Sequence, residues 1–140
     1  MKSVATACCC AGLLLLTGCF LGDTVVHKTV SLSIPTSQQQ TNFVLSVNDP
    51  QVQEALRVVD SVLVANGYSR DLHPIAPEDQ ARGTIAFYGV CGVRLSSNRL
   101  DVGFLETHKR HFSAPVKKVM VQLKDRLSSR YGAERVRLGD

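Results

Sequence analysis

The chain begins with a long stretch that carries no charge, and this stretch limits how much of the sequence can form a folded domain. After Lys2, no acidic or basic side chain occurs from Ser3 through Cys19, and four consecutive leucines occupy positions 13–16. Spanning a bilayer takes about 20 apolar residues, so the segment is short for a membrane helix. A cation followed by a short apolar run and small residues is typical of a secretory signal. We therefore expect residues 1–18 to be removed, which leaves 122 of the 140 residues to fold.

The signal ends in Leu16-Thr17-Gly18-Cys19. This tetrapeptide resembles the lipobox of bacterial lipoproteins, in which a diacylglycerol is attached to the cysteine before a dedicated peptidase cleaves in front of it. The resemblance implies that Cys19 becomes the lipidated N-terminus of a membrane-anchored protein. Each buried methylene contributes about 0.8 kcal/mol, so two or three acyl chains hold a protein firmly on a membrane. The alternatives are an ordinary secretory signal and a buried N-terminal helix.

The residue after the cysteine bears on location. In bacteria with two membranes, lipoproteins with Asp at this position are retained at the inner membrane, whereas this chain has Phe20. The resemblance therefore implies anchoring at the outer membrane, facing the periplasm, if the source is diderm. We divide the chain into a signal peptide at 1–18, a lipidated N-terminus and short tether at 19–23, and a single domain at 24–140.

The cysteine count excludes a disulfide framework. Of the five cysteines, three lie at positions 8–10 in the signal, and Cys19 would carry lipid. Cys91 alone would remain in the mature chain, so no intramolecular disulfide is expected. Its neighbours Val90 and Val93 indicate a buried, unreactive thiol, because a free cysteine packs as a small hydrophobe.

Hydrophobic periodicity predicts the order of the secondary structure. Alternating apolar residues predict strands, and an apolar stripe at helical spacing predicts a helix. The predicted elements are a strand at 24–34, a possible second strand at 43–47, a helix from Pro50 to a stop at Asn66-Gly67, strands at 83–90 and 100–105, a helix from Ser113 or Pro115 to Tyr131, and an edge strand at 135–138. Gly89 and Gly92 predict a bulge or bend around Cys91.

This order of elements predicts an α+β domain. A mainly antiparallel sheet of four to five strands with two helices on one face accounts for the pattern. The arrangement resembles the split βαβ topology of ferredoxin-like folds. Residues 43–90, in which a helix ending Asn66-Gly67-Tyr68 is followed by a loop and an apolar strand, are also similar to small periplasmic lipoprotein domains of unknown function.

Positive charge is concentrated in the last third of the chain. Residues 19–98 hold five basic and seven acidic side chains, whereas residues 99–140 hold ten and five. Each Lys or Arg near an anionic membrane surface contributes about 1 kcal/mol to the free energy of membrane binding. The candidate patch for an anionic surface consists of Lys109, Arg110, Lys117, Lys118 and Lys124, with Arg126 and Arg130 beyond it. The alternative is a solvated helix face.

Metal binding is the first chemistry to consider. His108 and His111 stand three apart, and together with Cys91 or His73 they could ligate zinc. The two cations between the histidines would repel a divalent ion. We therefore predict no metal site and no cofactor.

Catalytic motifs give no assignment either. The sequence has no nucleophile elbow, no Ser-x-x-Lys pair, no His-Glu-x-x-His helix and no glycine-rich phosphate loop. Five carboxylates could supply a pair, but nothing selects two of them: Asp71, Glu78, Asp79, Asp101 and Glu106. We predict no catalytic residue and interpret the chain as a non-enzyme.

The favoured hypothesis is a membrane-anchored cell-envelope lipoprotein with a non-catalytic binding or scaffold domain. Its expected partners are the membrane, through the N-terminal lipid, and either an envelope protein or an anionic lipid. Nucleic acid is not expected in the periplasm. The alternatives are an accessory subunit of an envelope transport or assembly system and a periplasmic enzyme with an unrecognised site.

Overall fold

The computed structural model describes residues 26–35, 45–106 and 114–139, so Cys19 and the segment containing His108, Lys109, Arg110 and His111 lie outside the described residues. The described elements are β1 (Val26–Ser33), α1 (Pro50–Ala65), α2 (Pro77–Ala81), β2 (Thr84–Tyr88), β3 (Cys91–Ser96), β4 (Arg99–Glu106), α3 (Ala114–Tyr131), a 3-10 helix (Ala133–Arg135) and β5 (Val136–Gly139). The predicted α+β class is confirmed.

The five strands form one sheet in the order β2-β3-β4-β1-β5, and every neighbouring pair is antiparallel. Strands β4 and β5 both pair with β1, so they run parallel to each other and are connected through α3. This is a split βαβ unit. Strands β1 and β3 both pair antiparallel with β4, so they also run parallel to each other. The order β3-β4-β1-β5 is the predicted ferredoxin-like order, and β2 is added at the edge beside β3.

Helix α1 begins and ends where its sequence predicts. The Asp49 carboxylate accepts a hydrogen bond from the Gln51 amide at 2.8 Å, and a proline opens the first turn. At the other end Gly67 has φ of 85°. The Tyr68 amide donates back to the Leu63 carbonyl at 3.0 Å, which is the hydrogen bond of a Schellman motif.

The core lies between one face of the sheet and the two long helices. In β1, Val30 and Leu32 are fully buried. The helices contribute Val52, Ala55, Val59, Val62 and Leu63 from α1, and Val119, Met120, Leu123 and Leu127 from α3. Cys91 belongs to the same cluster and is fully buried, which confirms the prediction of a buried thiol.

Two aromatic contacts join the helix layer to the sheet. The buried Tyr88 hydroxyl of β2 donates to the Asp60 carboxylate of α1 at 2.7 Å. Burial and this carboxylate raise the pKa of Tyr88 above its ordinary value. Just after α1, the Tyr68 ring meets the Phe104 ring of β4 edge-on, with 6.2 Å between centroids. Both contacts join the C-terminal part of α1 to the sheet.

The predicted bend around Cys91 is wrong. Gly89 and Val90 form a two-residue hairpin turn between Tyr88 and Cys91, which pair directly. Gly89 has φ of 62°, as the first position of a tight hairpin turn requires. Gly92 lies inside β3, so a strand that the sequence reading missed follows the turn. The register irregularity falls instead between residues 84 and 86 of β2.

The possible strand at 43–47 is not found in its described part. Leu45 is buried, but it lies in irregular chain that enters a turn at Val47 and Asn48. Residues 43 and 44 lie outside the described residues. Leu45 therefore contributes to the core without belonging to a strand. The segment 69–82, interpreted as a connecting loop, contains the short helix α2.

Two glycines of the sheet region give a matched test of the fold. Gly83 has φ of 83°, and a Cβ placed on it would overlap the Leu95 carbonyl oxygen. Gly103 has no such φ, and the nearest atom to its Cβ position, the Gly92 oxygen, is 3.8 Å away. We expect Gly83→Ala to lower the free energy of unfolding by about 2 kcal/mol or more, and Gly103→Ala to leave it unchanged or raise it by up to about 1 kcal/mol.

Urea denaturation measures the free energy of unfolding of both variants, and an unchanged m-value shows that a shifted midpoint is a change in stability. Equal midpoints for Gly83→Ala and Gly103→Ala would contradict the backbone geometry assigned to Gly83.

Candidate functional site

A row of three glycines and a threonine, ending at a phenylalanine, crosses the face of the sheet that the two long helices leave open. In this row Phe87 of β2 lies opposite Gly92 of β3, Gly92 opposite Gly103 of β4, Gly103 opposite Thr29 of β1, and Thr29 opposite Gly139 of β5. Since side chains alternate between the faces of a strand, all five positions share the outer face. We call Gly92, Gly103 and Gly139 the glycine row.

Two members of the glycine row, Gly92 and Gly103, form the floor of a groove of about 290 Å³, which Thr29 also lines, whereas Gly139 on the next strand does not line it. The wall on one side is apolar and includes Val90 and Leu105, which are 57% and 39% exposed. The Phe87 ring closes the β2 end and lies 3.4 Å from the Cβ position of Gly92. Because the floor lacks side chains, a bound chain can approach the sheet backbone directly.

The opposite wall is polar and centres on Asp101. The Ser31 hydroxyl donates to the Asp101 carboxylate at 2.6 Å, and Arg99 Nε lies 2.8 Å from the same oxygen. The Asp101 side chain is only 14% exposed. Its carboxylate is thus already paired. Two further charged residues line the groove: Arg94, which is exposed and lies directly across the strand pair from Asp101, and Asp79 of α2, which is partly exposed.

Arginines from three strands share this half of the outer face. Arg94 and Arg99 come from β3 and β4, and Arg137 of β5 lies opposite Ser31. Just before β5, Arg135 donates to the Ser33 carbonyl at 3.0 Å. The planar guanidinium pairs with carboxylates and phosphates through two parallel hydrogen bonds. The sequence analysis missed this set because its members are far apart in the chain and only strand register brings them together.

The predicted basic patch is divided by the structure. Lys109 and Arg110 lie outside the described residues. Lys117, Lys118 and Lys124 are all exposed on α3. Lys117 and Lys124 are seven residues apart and lie nearly in line along the helix, whereas Lys118 is turned about 100° from Lys117. Of the outlying pair, Arg130 contacts Glu54 of α1 at 2.8 Å.

The residues considered for zinc are not brought together within the described ranges. His73 lies in an exposed loop, where its amide and ring contact the Asp71 carboxylate at 2.9 and 2.6 Å. These hydrogen bonds lower the pKa of Asp71. Cys91 lies in the core, and His108 and His111 fall outside the described residues. No three potential ligands cluster anywhere in residues 26–35, 45–106 or 114–139.

Comparisons with protein-family models, with curated proteins and with solved structures found no match to this chain. None of the helices described at 50–65, 77–81 and 114–131 is both long and apolar enough to cross a bilayer. The function must therefore be inferred from the chain's own residues.

The environment of Cys91 predicts how stability depends on pH. Burial raises the pKa of its thiol from 9.0 to about 12. The stabilisation is complete below pH 9 and is lost as the pH rises toward 12, because the unfolded chain ionises first. At pH 11 the loss should reach about 3 kcal/mol.

Cys91→Ala provides the comparison, since it removes this titration and leaves the buried tyrosines. We expect the wild-type free energy of unfolding, measured in urea from pH 8 to 11, to fall more steeply than that of the variant. Parallel curves would show that Cys91 ionises as readily in the folded chain as in the unfolded one.

Proposed function

We propose that this protein is a membrane-anchored cell-envelope lipoprotein whose α+β domain binds a partner without chemically transforming it. The glycine row carries the binding part of the proposal. It provides a floor of backbone between an apolar wall and an arginine. The nearby carboxylate of Asp101 is already paired with Ser31 and Arg99. The groove therefore offers groups that hold a ligand.

The position of β1 supports the anchoring part. This strand begins at Val26, seven residues after Cys19. Even a fully extended chain of that length spans only about 25 Å. If Cys19 carries lipid, the domain stays close to the membrane. With Phe20 after the cysteine, we place it at the outer membrane, facing the periplasm, in a diderm source.

An extended segment of another envelope protein suits the groove best. From β2 to β1 the groove crosses three inter-strand spacings, about 14 Å, which is room for roughly four extended residues. Apolar side chains of such a segment would contact Val90 and Leu105, and a carboxylate could pair with Arg94. If the bound protein belongs to an envelope transport or assembly system, the domain is an accessory subunit of that system. Identifying the partner distinguishes this role from that of a general binding or scaffold domain.

Filling the groove tests the proposal. The Cβ position of Gly103 is open, so Gly103→Val should place methyl groups in the groove without a backbone clash. Ser33→Val adds the same side chain to an exposed outer position of β1 outside the groove. We expect in-cell crosslinking followed by mass spectrometry to recover a specific envelope protein with wild type and Ser33→Val. Recovery with Gly103→Val should fall at least about tenfold, corresponding to a loss of about 1.4 kcal/mol.

Matching thermal midpoints would first establish that both variants are folded. A partner recovered equally well with Gly103→Val, or no specific partner with any of the three proteins, would contradict binding at the groove.

A further inference from the structure

We infer that the end of the domain nearest the lipid tether docks on an anionic phospholipid surface and holds the sheet upright on the membrane. We call this end, where β1 begins and β4 ends, the anchor end. The inference rests on the proposed lipid at Cys19, and it adds a second contact with the membrane and a fixed orientation.

Several elements meet at the anchor end. Val26, the first residue of β1, pairs with Glu106, the last residue of β4. The turn between β2 and β3 is adjacent, because the Leu105 amide donates to the Val90 carbonyl at 3.1 Å. The first residue of β1 therefore lies at the same end of the sheet as Val90 and Leu105.

The first turn of α3 lies at the same end. Pro115 and Lys118 line one cavity together with Gly67 and Tyr68, which follow the end of α1. Tyr68 in turn contacts Phe104 near the end of β4. Lys117 and Lys118 are thus placed near the start of β1, although more than ninety residues separate them from it in the sequence.

Charge is compensated differently at the two ends. Away from the anchor end, acidic residues pair with arginines, as in Arg99–Asp101 and Arg130–Glu54, both at 2.8 Å. Lys117 and Lys118 form no ion pair within the described parts of the chain. Among the described residues, the acidic ones at or near the anchor end include Glu106, Asp71 and Asp60. Asp71 is bound by His73 and follows Arg70, and Asp60 accepts the Tyr88 hydrogen bond.

The anchor end therefore combines cations with exposed apolar side chains. Each lysine close to an anionic leaflet favours the docked state about fivefold. Val90, in the exposed turn at this end, can enter the headgroup region, where apolar side chains are stabilised, while Leu105 remains available to the groove. An anionic phospholipid leaflet within reach of the tether matches both features.

Docking in this orientation determines where the groove faces. With the anchor end down, the strands stand roughly along the membrane normal and the glycine row runs parallel to the surface. The apolar wall then lies toward the lipid, and Arg94 lies on the distal side. The groove opens sideways, where a membrane-associated protein can reach it.

Single tryptophans can report the orientation, because the sequence contains no Trp. Val90→Trp places the reporter at the anchor end. Val47→Trp is the matched control, since Val47 is 40% exposed and precedes α1 at the opposite end. The full mature, lipidated protein is reconstituted in vesicles of brominated phosphatidylcholine with or without phosphatidylglycerol, and bromine quenching of fluorescence is measured.

We expect quenching of Val90→Trp in the anionic vesicles and little quenching of Val47→Trp in either. Adding Lys117→Glu and Lys118→Glu should lower the docked fraction at least about fivefold, as should high salt. Arg82→Glu with Arg137→Glu makes the same charge change away from the anchor end and should leave quenching unaltered.

The outcomes separate the two proposals. Vesicles that carry the protein on flotation but leave Val90→Trp unquenched would overturn docking while supporting the anchor. Equal quenching with and without phosphatidylglycerol, or equal effects of the two charge-reversal pairs, would overturn the electrostatic contact. Wild-type protein that fails to float with vesicles would contradict the lipid anchor itself.

Discussion

Strand β1 is the constraint on which the rest of the structure depends. It pairs with β4 over eight residues and with β5 over four, and so joins the two parts of the sheet. Its inward residues Val30 and Leu32 lie in the middle of the core. Of its outward residues, Thr29 lines the groove and Ser31 donates a hydrogen bond to Asp101. The segment that precedes β1 contains the proposed anchor, so one strand links core, groove and membrane.

The glycine row has a cost in stability that the fold offsets elsewhere. Glycine weakens a strand because it loses more backbone entropy and adds no side-chain packing. At Gly92 the Phe87 ring covers the exposed backbone, while Gly103 stays uncovered within the described structure. The core, the capped α1 and the Tyr88–Asp60 hydrogen bond lie on the other side of the sheet. The contacts on the inner face therefore offset the cost of the glycines on the open outer face.

Local patterns predicted much of the fold. The caps at Asp49 and Gly67, the alternation along β1 and the arginine-bearing edge strand β5 all depend on neighbouring residues, and the structure has them where expected. Strand β3 was missed because Gly89 and Gly92 give the same local signal, although one forms a turn and the other lies in a strand.

The candidate site was less accessible to sequence reasoning. Gly92, Gly103 and Gly139 are spread over almost fifty residues, and only the pairing register aligns them. The lysines of α3 were recognised as a basic set, but their place beside the start of β1 follows from topology alone.

Both the anchoring proposal and the docking inference depend on the covalent state of Cys19. The most direct measurement is the intact mass of the protein extracted from its native membranes, with a thiol titration in denaturant. The account predicts a chain that starts at Cys19, carries a diacylglycerol, and has one reactive thiol, Cys91. A chain that retains residues 1–18 and titrates all five cysteines, or one that begins elsewhere without lipid, would contradict it.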